Sequence, residues 1–161
     1  KISMRGASPT TETAFDSWIP DVYLQKVRAQ RTRSYEMDIP ERENQAEILF
    51  TLLGIEVQVG KKRFACPDLA TARYLSVFAR IGCRMVAIPY DITKISLLAD
   101  ELEVAWQRLI LVHTESAAKL SPQARGKSRA ALIRRMRAEI AEYGAGEAMP
   151  KFKNSTRQRE C

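Results

Sequence analysis

The sequence predicts an α+β fold: a small three-stranded sheet (a β-hairpin plus one strand) packed with two helices, followed by a C-terminal antiparallel helical hairpin. Three observations predict it. The period-two run Ile55-Glu56-Val57-Gln58-Val59 is followed at once by Gly60-Lys61 and a second short run, Lys62–Cys66, the pattern of a tight hairpin. Two apolar patterns of helical spacing occupy residues 95–112 and 122–143. Proline, aspartate and glycine fall at the starts and stops that such elements need. At 161 residues and 45% hydrophobic content, the chain has room for one ordinary domain with a core, plus tails.

Residues 1–35 show little periodicity. Trp18, Ile19, Val22, Tyr23, Leu24 and Val27 predict a short helix beginning near Pro20, followed by a basic, exposed run from Lys26 to Arg33. Pro40, with Glu41 and Glu43 in the first turn, predicts a first body helix, which Gly54 would end after Leu52-Leu53. The hairpin comes next, its glycine-first turn placing Phe64 and Cys66 on the face of Val57 and Ile55. Pro67-Asp68 opens a second helix and Gly82 closes it; Leu69, Ala72, Tyr74, Leu75, Val77, Phe78 and Ile81 give it a wide apolar surface. Met85-Val86-Ala87-Ile88, before Pro89, reads as the third strand, reached by a right-handed parallel crossover.

The third helix has the most regular pattern. Ile95, Leu98, Leu102, Ala105, Leu109 and Val112 form a heptad seam, with Ala99, Trp106 and His113 on the neighbouring stripe. The fourth helix starts at Ser121-Pro122, a side-chain cap before a helix-starting proline, and stops at Gly144. Its apolar stripe is Leu132, Ile133, Met136, Ile140 and Tyr143. The short link between these helices predicts an antiparallel pair. The chain is therefore expected to divide into a basic N-terminal arm (1–35), a single α+β domain (36–144) and a flexible basic tail (145–161).

Charge carries the functional reading. Between Lys119 and Arg137 stand seven basic residues and no acidic one, as much as the whole protein's formal net charge of +7. Residues 36–118 hold nine basic and twelve acidic groups, so a mildly acidic body lies between basic segments. A local basic stripe on an amphipathic helix suits a polyanion. The expected function is nucleic-acid binding (RNA or DNA) with low sequence selectivity, through Arg125, Lys127, Arg129, Arg134, Arg135 and Arg137. Arg125 and Arg129 lie near the apolar stripe and stand to be used on the protein's own acidic body. The hairpin turn adds Lys61, Lys62 and Arg63, which would grip a backbone from a second side; edge lysines also deter strand addition. The alternative is a non-enzymatic assembly or adaptor protein whose basic arms dock on an acidic protein partner. The seam of the third helix is expected to pack within the chain, against the next helix; the other reading is a homodimer through the third and fourth helices, which would use Leu98, Leu102, Ala105, Trp106 and Leu109.

Other chemistry finds little support in the sequence. Three cysteines, Cys66, Cys83 and Cys161, and one histidine make neither a disulfide framework nor a zinc pattern. His113 has no nucleophile or oxyanion group patterned with it, and Asp91, after Tyr90, reads as a helix cap. No enzyme activity, cofactor or metal is expected. No apolar run approaches the ~20 residues that span a bilayer, and the first residues lack the apolar core of a secretory signal. Free thiols suit a reducing compartment, so the expected location is cytoplasmic or an organelle interior.

Overall fold

The computed structural model describes residues 18–146. The fold is α+β, with a three-stranded antiparallel sheet, a second two-stranded sheet and helices that join them. In chain order the elements are α1 (Ile19–Val22, continuing as one π turn, Tyr23–Val27), β1 (Thr32–Glu36), β2 (Ala46–Thr51), β3 (Gly54–Val59), β4 (Lys62–Cys66), α2 (Leu69–Ile81), β5 (Met85–Pro89), α3 (Ile92–Ser116) and α4 (Pro122–Tyr143).

The hairpin β3–β4 forms in the expected register. Val59 opposes Lys62 across a two-residue turn, and Gly60 supplies the positive φ of 62° that this turn requires. Val57 pairs with Phe64 and Ile55 with Cys66, so the apolar side chains share one face. The third strand is not the expected one. The segment read as a helix from Pro40 to Leu53 is an irregular loop followed by β2, which pairs with β3 through Ile48–Val57 and Phe50–Ile55. Ala46, Ile48 and Phe50 alternate and extend the apolar face of the hairpin. Gly54 ends no helix; at φ 127° it closes the β2–β3 turn. The acids after Pro40 mimic a helix start, and pairing with β3 overrides that local signal.

β5 is a strand, as expected, but it makes no parallel crossover. It pairs antiparallel with β1, Ser34 opposite Ala87 and Tyr35 opposite Val86. The proposed boundary between residues 35 and 36 thus falls inside β1. Residues 19–36 belong to the body: Ile19, Val22, Tyr23 and Val27 are all in the core.

α2 is the central element. Nine of its thirteen residues are buried, too many for a helix with one wet face. It packs on the three-stranded sheet on one side and on α3 on another. The Tyr74 hydroxyl donates to Ala87 O at 2.6 Å, tying α2 to β5. Asp68 caps its start by accepting from Thr71 N at 2.7 Å. Gly82 ends it in the left-handed region at φ 92°, with Gly82 N and Cys83 N both donating to Phe78 O. Tyr23 fastens the outer elements: its hydroxyl donates to Gly144 O and accepts from Ala87 N.

α3 and α4 follow each other through the short turn Ala117–Leu120, with Ser121 capping α4 by accepting from Ala124 N at 3.1 Å. His113 Nε2 and Ser128 Oγ, 3.0 Å apart, bridge the two helices near this turn. α4 then passes the loop at Glu43 and the end of α2, and reaches α1 with its last turns. The seam of α3 is spent inside one chain: Ile95, Leu98, Leu102, Ala105 and Trp106 are buried in the core and Leu109 is half-buried. Packed within one chain, chiefly against α2 and also against α1 and β5, these side chains are not available to the alternative two-fold dimer. Cys66 and Cys83 are buried free thiols, as read, and burial pushes Cys83 up to about 12 and Cys66 to about 11. Among the described residues no helix is long and apolar enough to cross a membrane.

Candidate nucleic-acid interface

The six cations expected on α4 divide by direction. A helix turns about 100° per residue, so Met136, Ile133 and Ile140 fix which side faces the core; all three are buried. Arg129 lies near that side and makes a two-pronged ion pair with Glu43, Nε to Oε1 at 2.8 Å and Nη2 to Oε2 at 2.5 Å. The Glu43 hydrogen bond raises the Arg129 value above the ordinary arginine range. Arg137 Nη1 donates to Ile81 O at 2.7 Å, capping α2. Arg125 Nη1 donates to Leu120 O at 2.6 Å and closes the α3–α4 turn. Arg135 donates to Glu139 at 3.1 Å and lies 5.0 Å over the Trp18 ring. Lys127 and Arg134, one heptad apart, are exposed on the side opposite Met136. The basic helix is therefore largely an internal clamp, with Lys127 and Arg134 as its outward cations. Arg135 and Arg137, named among the expected backbone contacts, are engaged within the chain by Glu139 and by Ile81 O. Arg129 behaves as its position near the stripe foretold.

The hairpin turn is similarly divided. Lys62 pairs with Asp38 at 2.7 Å, a contact that lowers the Asp38 value below its ordinary range. Arg63 reaches Glu56 at 3.5 Å. Lys61 is exposed.

Between this turn and the loop after β1 lies an open groove of about 930 Å³. Arg42, Lys61, Lys62 and Arg80 line it, together with the amides Asn44, Gln45 and Gln58, and Trp106 reaches it from α3. Its acids are Glu43, already held by Arg129, and Glu47. Arg80 is anchored by Glu103 at 2.9 and 3.0 Å. Asn44 fixes the loop by donating to Pro40 O and Ala79 O, each at 3.0 Å. The structure thus brings Lys61 and Lys62 together with Arg42 and Arg80, a grouping with no local signal in the sequence. Arg42 and Asn44 sit in the segment read as helix, Arg80 reads as an ordinary helix position, and Trp106 reads as a dimer-interface residue. Arg129 reaches the groove's rim through Glu43, whereas Lys127 and Arg134 face another way.

The enzyme-like positions have structural roles. Asp91 caps α3, accepting from Thr93 N at 3.0 Å and Thr93 Oγ1 at 2.7 Å; these bonds lower its value. His113 is engaged with Ser128. Arg31 and Arg33, in the run read as basic and exposed, stand 5.2 and 6.0 Å from the Tyr90 ring centroid beside the β1–β5 ribbon, a contact the sequence does not show. No known protein family matches the chain, and neither a curated protein nor a solved structure does.

Proposed function

We propose that this protein binds nucleic acid through phosphate contacts seated in the groove between the hairpin turn and the 40–47 loop. The observation that carries the reading is the groove itself: four cations line it, Lys62 and Arg80 already paired with Asp38 and Glu103 but Arg42 and Lys61 in no ion pair among the described residues, against Glu47 and a Glu43 neutralised by Arg129. Guanidinium and ammonium groups displace condensed counterions from a phosphate backbone, and amides donate to phosphate or base edges without demanding one sequence. Lys127 and Arg134 add a second, outward contact on α4.

The test is binding of a mixed-sequence oligonucleotide across a salt series. Arg42→Glu with Lys61→Glu should abolish binding. Lys127→Ala with Arg134→Ala should weaken it and flatten the slope of log K against log salt by up to about 2. Absence of binding at low salt defeats the proposal.

A second reading rests on the β2–β3 turn. Phe50, Leu52 and Leu53 are large apolar side chains largely or wholly in solvent, and such a tip suits a protein contact. On this reading the chain is a non-enzymatic assembly protein. A pull-down after nuclease treatment separates the two, since a protein partner would survive it and Leu52→Ser with Leu53→Ser would release that partner.

A further inference from the structure

α3 is 25 residues long, and its buried seam has a counterpart on the outside. Leu97, Val104 and Leu111 recur every seventh residue and are 69%, 53% and 53% exposed. Val112, at 56%, widens the stripe at its C-terminal end. Three large apolar side chains in line on one helix face are more than the scattered exposed leucines of an ordinary surface. Seven-residue spacing is the repeat that two helices share when they pack along their length.

The charges beside the stripe decide what it fits. Lys94, Glu101, Arg108 and Glu115 also recur every seventh residue, and their signs alternate. In a parallel pair the two-fold axis runs along the helices, so this row faces the partner's other flank, where Asp100 and Glu103 are already held by Arg73 and Arg80. In an antiparallel pair with its two-fold axis at Val104, Glu101 of one copy lies beside Arg108 of the other, and Lys94 beside Glu115. The same axis sets Leu97 against Leu111 and Val104 against itself. Val104 is the midpoint of α3 (Ile92–Ser116), so this axis overlaps the two helices over their full length. Glu101 also accepts from Lys26 at 2.8 and 2.9 Å, an exposed pair that leaves its carboxylate able to take a second cation.

We infer that the outer face of α3 is the contact of a two-fold homodimer, the helices antiparallel and crossing at Val104. The interface is isologous: one patch serves both copies. It differs from the buried seam at Leu98, Leu102 and Ala105, and it leaves the groove on each copy open.

Sedimentation of the full chain tests it, with variants that leave the core untouched. The wild type should show a concentration-dependent dimer. Val104→Asp, which sets two carboxylates across the axis, should raise the dissociation constant at least about tenfold. Lys94→Glu alone and Glu115→Lys alone, both at exposed positions, should each weaken the dimer, and the two together should restore it. In a Cys161→Ser background, Leu97→Cys mixed with Leu111→Cys should form a disulfide between copies. Leu97→Cys alone should not, since its two copies stand roughly 21 Å apart along the axis at 1.5 Å per residue. A chain that stays monomeric up to about 100 μM overturns the inference. So does a dimer indifferent to Val104→Asp, or one that cross-links through Leu97→Cys alone.

Discussion

The inward and outward cations of α4 are the same residue types on the same helix, yet they do different work. Arg129 and Arg137 reach Glu43 and Ile81 O, and hold the 40–45 loop and the end of α2 in place. Lys127 and Arg134 point to the opposite side and touch nothing among the described residues that fixes them. A basic segment in a sequence therefore overstates the charge available to a partner. The inward group should govern stability and the outward group binding, and substitutions can pull the two apart.

The largest effect should come from the point on which the inward group converges. Gly82 has φ 92°, and a Cβ there would run into the Arg42 backbone, with Arg137 Nη1 3.0 Å away. Gly82→Ala adds left-handed strain to a clash with main chain. It should cost on the order of 3 kcal/mol and loosen the loop that lines the groove, so stability and oligonucleotide binding fall together. Urea unfolding beside a binding titration checks this; a loss under about 1 kcal/mol would mean the loop yields easily.

Arg137→Ala comes next. It removes a charged donor from a part-buried carbonyl and should cost about 2 kcal/mol. In the fraction that remains folded, the salt slope of binding should be unchanged. Lys127→Ala with Arg134→Ala should do the reverse, moving stability by less than about 0.5 kcal/mol while weakening binding. If the single and the double substitution shift stability equally, the division of α4 into two groups is wrong.

What the sequence revealed and what it hid follow the range of the interactions. The β3–β4 hairpin was legible because a glycine-first turn and ten neighbouring residues define it locally. The caps of α2, α3 and α4 were legible for the same reason: Asp68, Asp91 and Ser121 each bond within three residues of themselves. β1 was not. Its sequence, Thr-Arg-Ser-Tyr-Glu, carries little apolar signal, and its partner lies about fifty residues on, so only the tertiary fold makes it a strand. The 40–53 segment failed differently: Pro40, Glu41 and Gly54 imitate helix punctuation around a strand whose period was short enough to miss. The groove inherits both failures, for it joins that loop to the hairpin turn. The seam of α3 was read correctly as a seam, but a period alone does not say whether the partner is the same chain; burial of Leu102 and Ala105 does.

The smallest effect concerns Arg135, which lies between the two groups. It is exposed, yet it bonds Glu139, whose other oxygen accepts from Trp18 Nε1 at 2.7 Å. The Trp18 hydrogen bond, followed by Arg135, holds the Glu139 carboxyl below its ordinary value of 4.5. A depressed carboxylate contributes stability above its unfolded value and loses it as pH falls through the folded one. Asp21 nearby moves the other way, raised by partial burial and by Glu139, so protonating it relieves the fold rather than weakening it. The net acid sensitivity of this corner is thus the Glu139 contribution less the Asp21 one. Glu139→Gln should be destabilising by less than about 1 kcal/mol at pH 7, as expected for a solvent-screened contact. That difference from wild type should begin to shrink as pH falls past 4.5 and should vanish only below the depressed folded value, where the wild-type carboxyl has lost its charge as well. Unfolding midpoints taken in steps from pH 7 down to about pH 2 measure it. A difference that persists in acid would assign the role of Glu139 to packing against Trp18, and would leave Arg135 free to count among the outward cations.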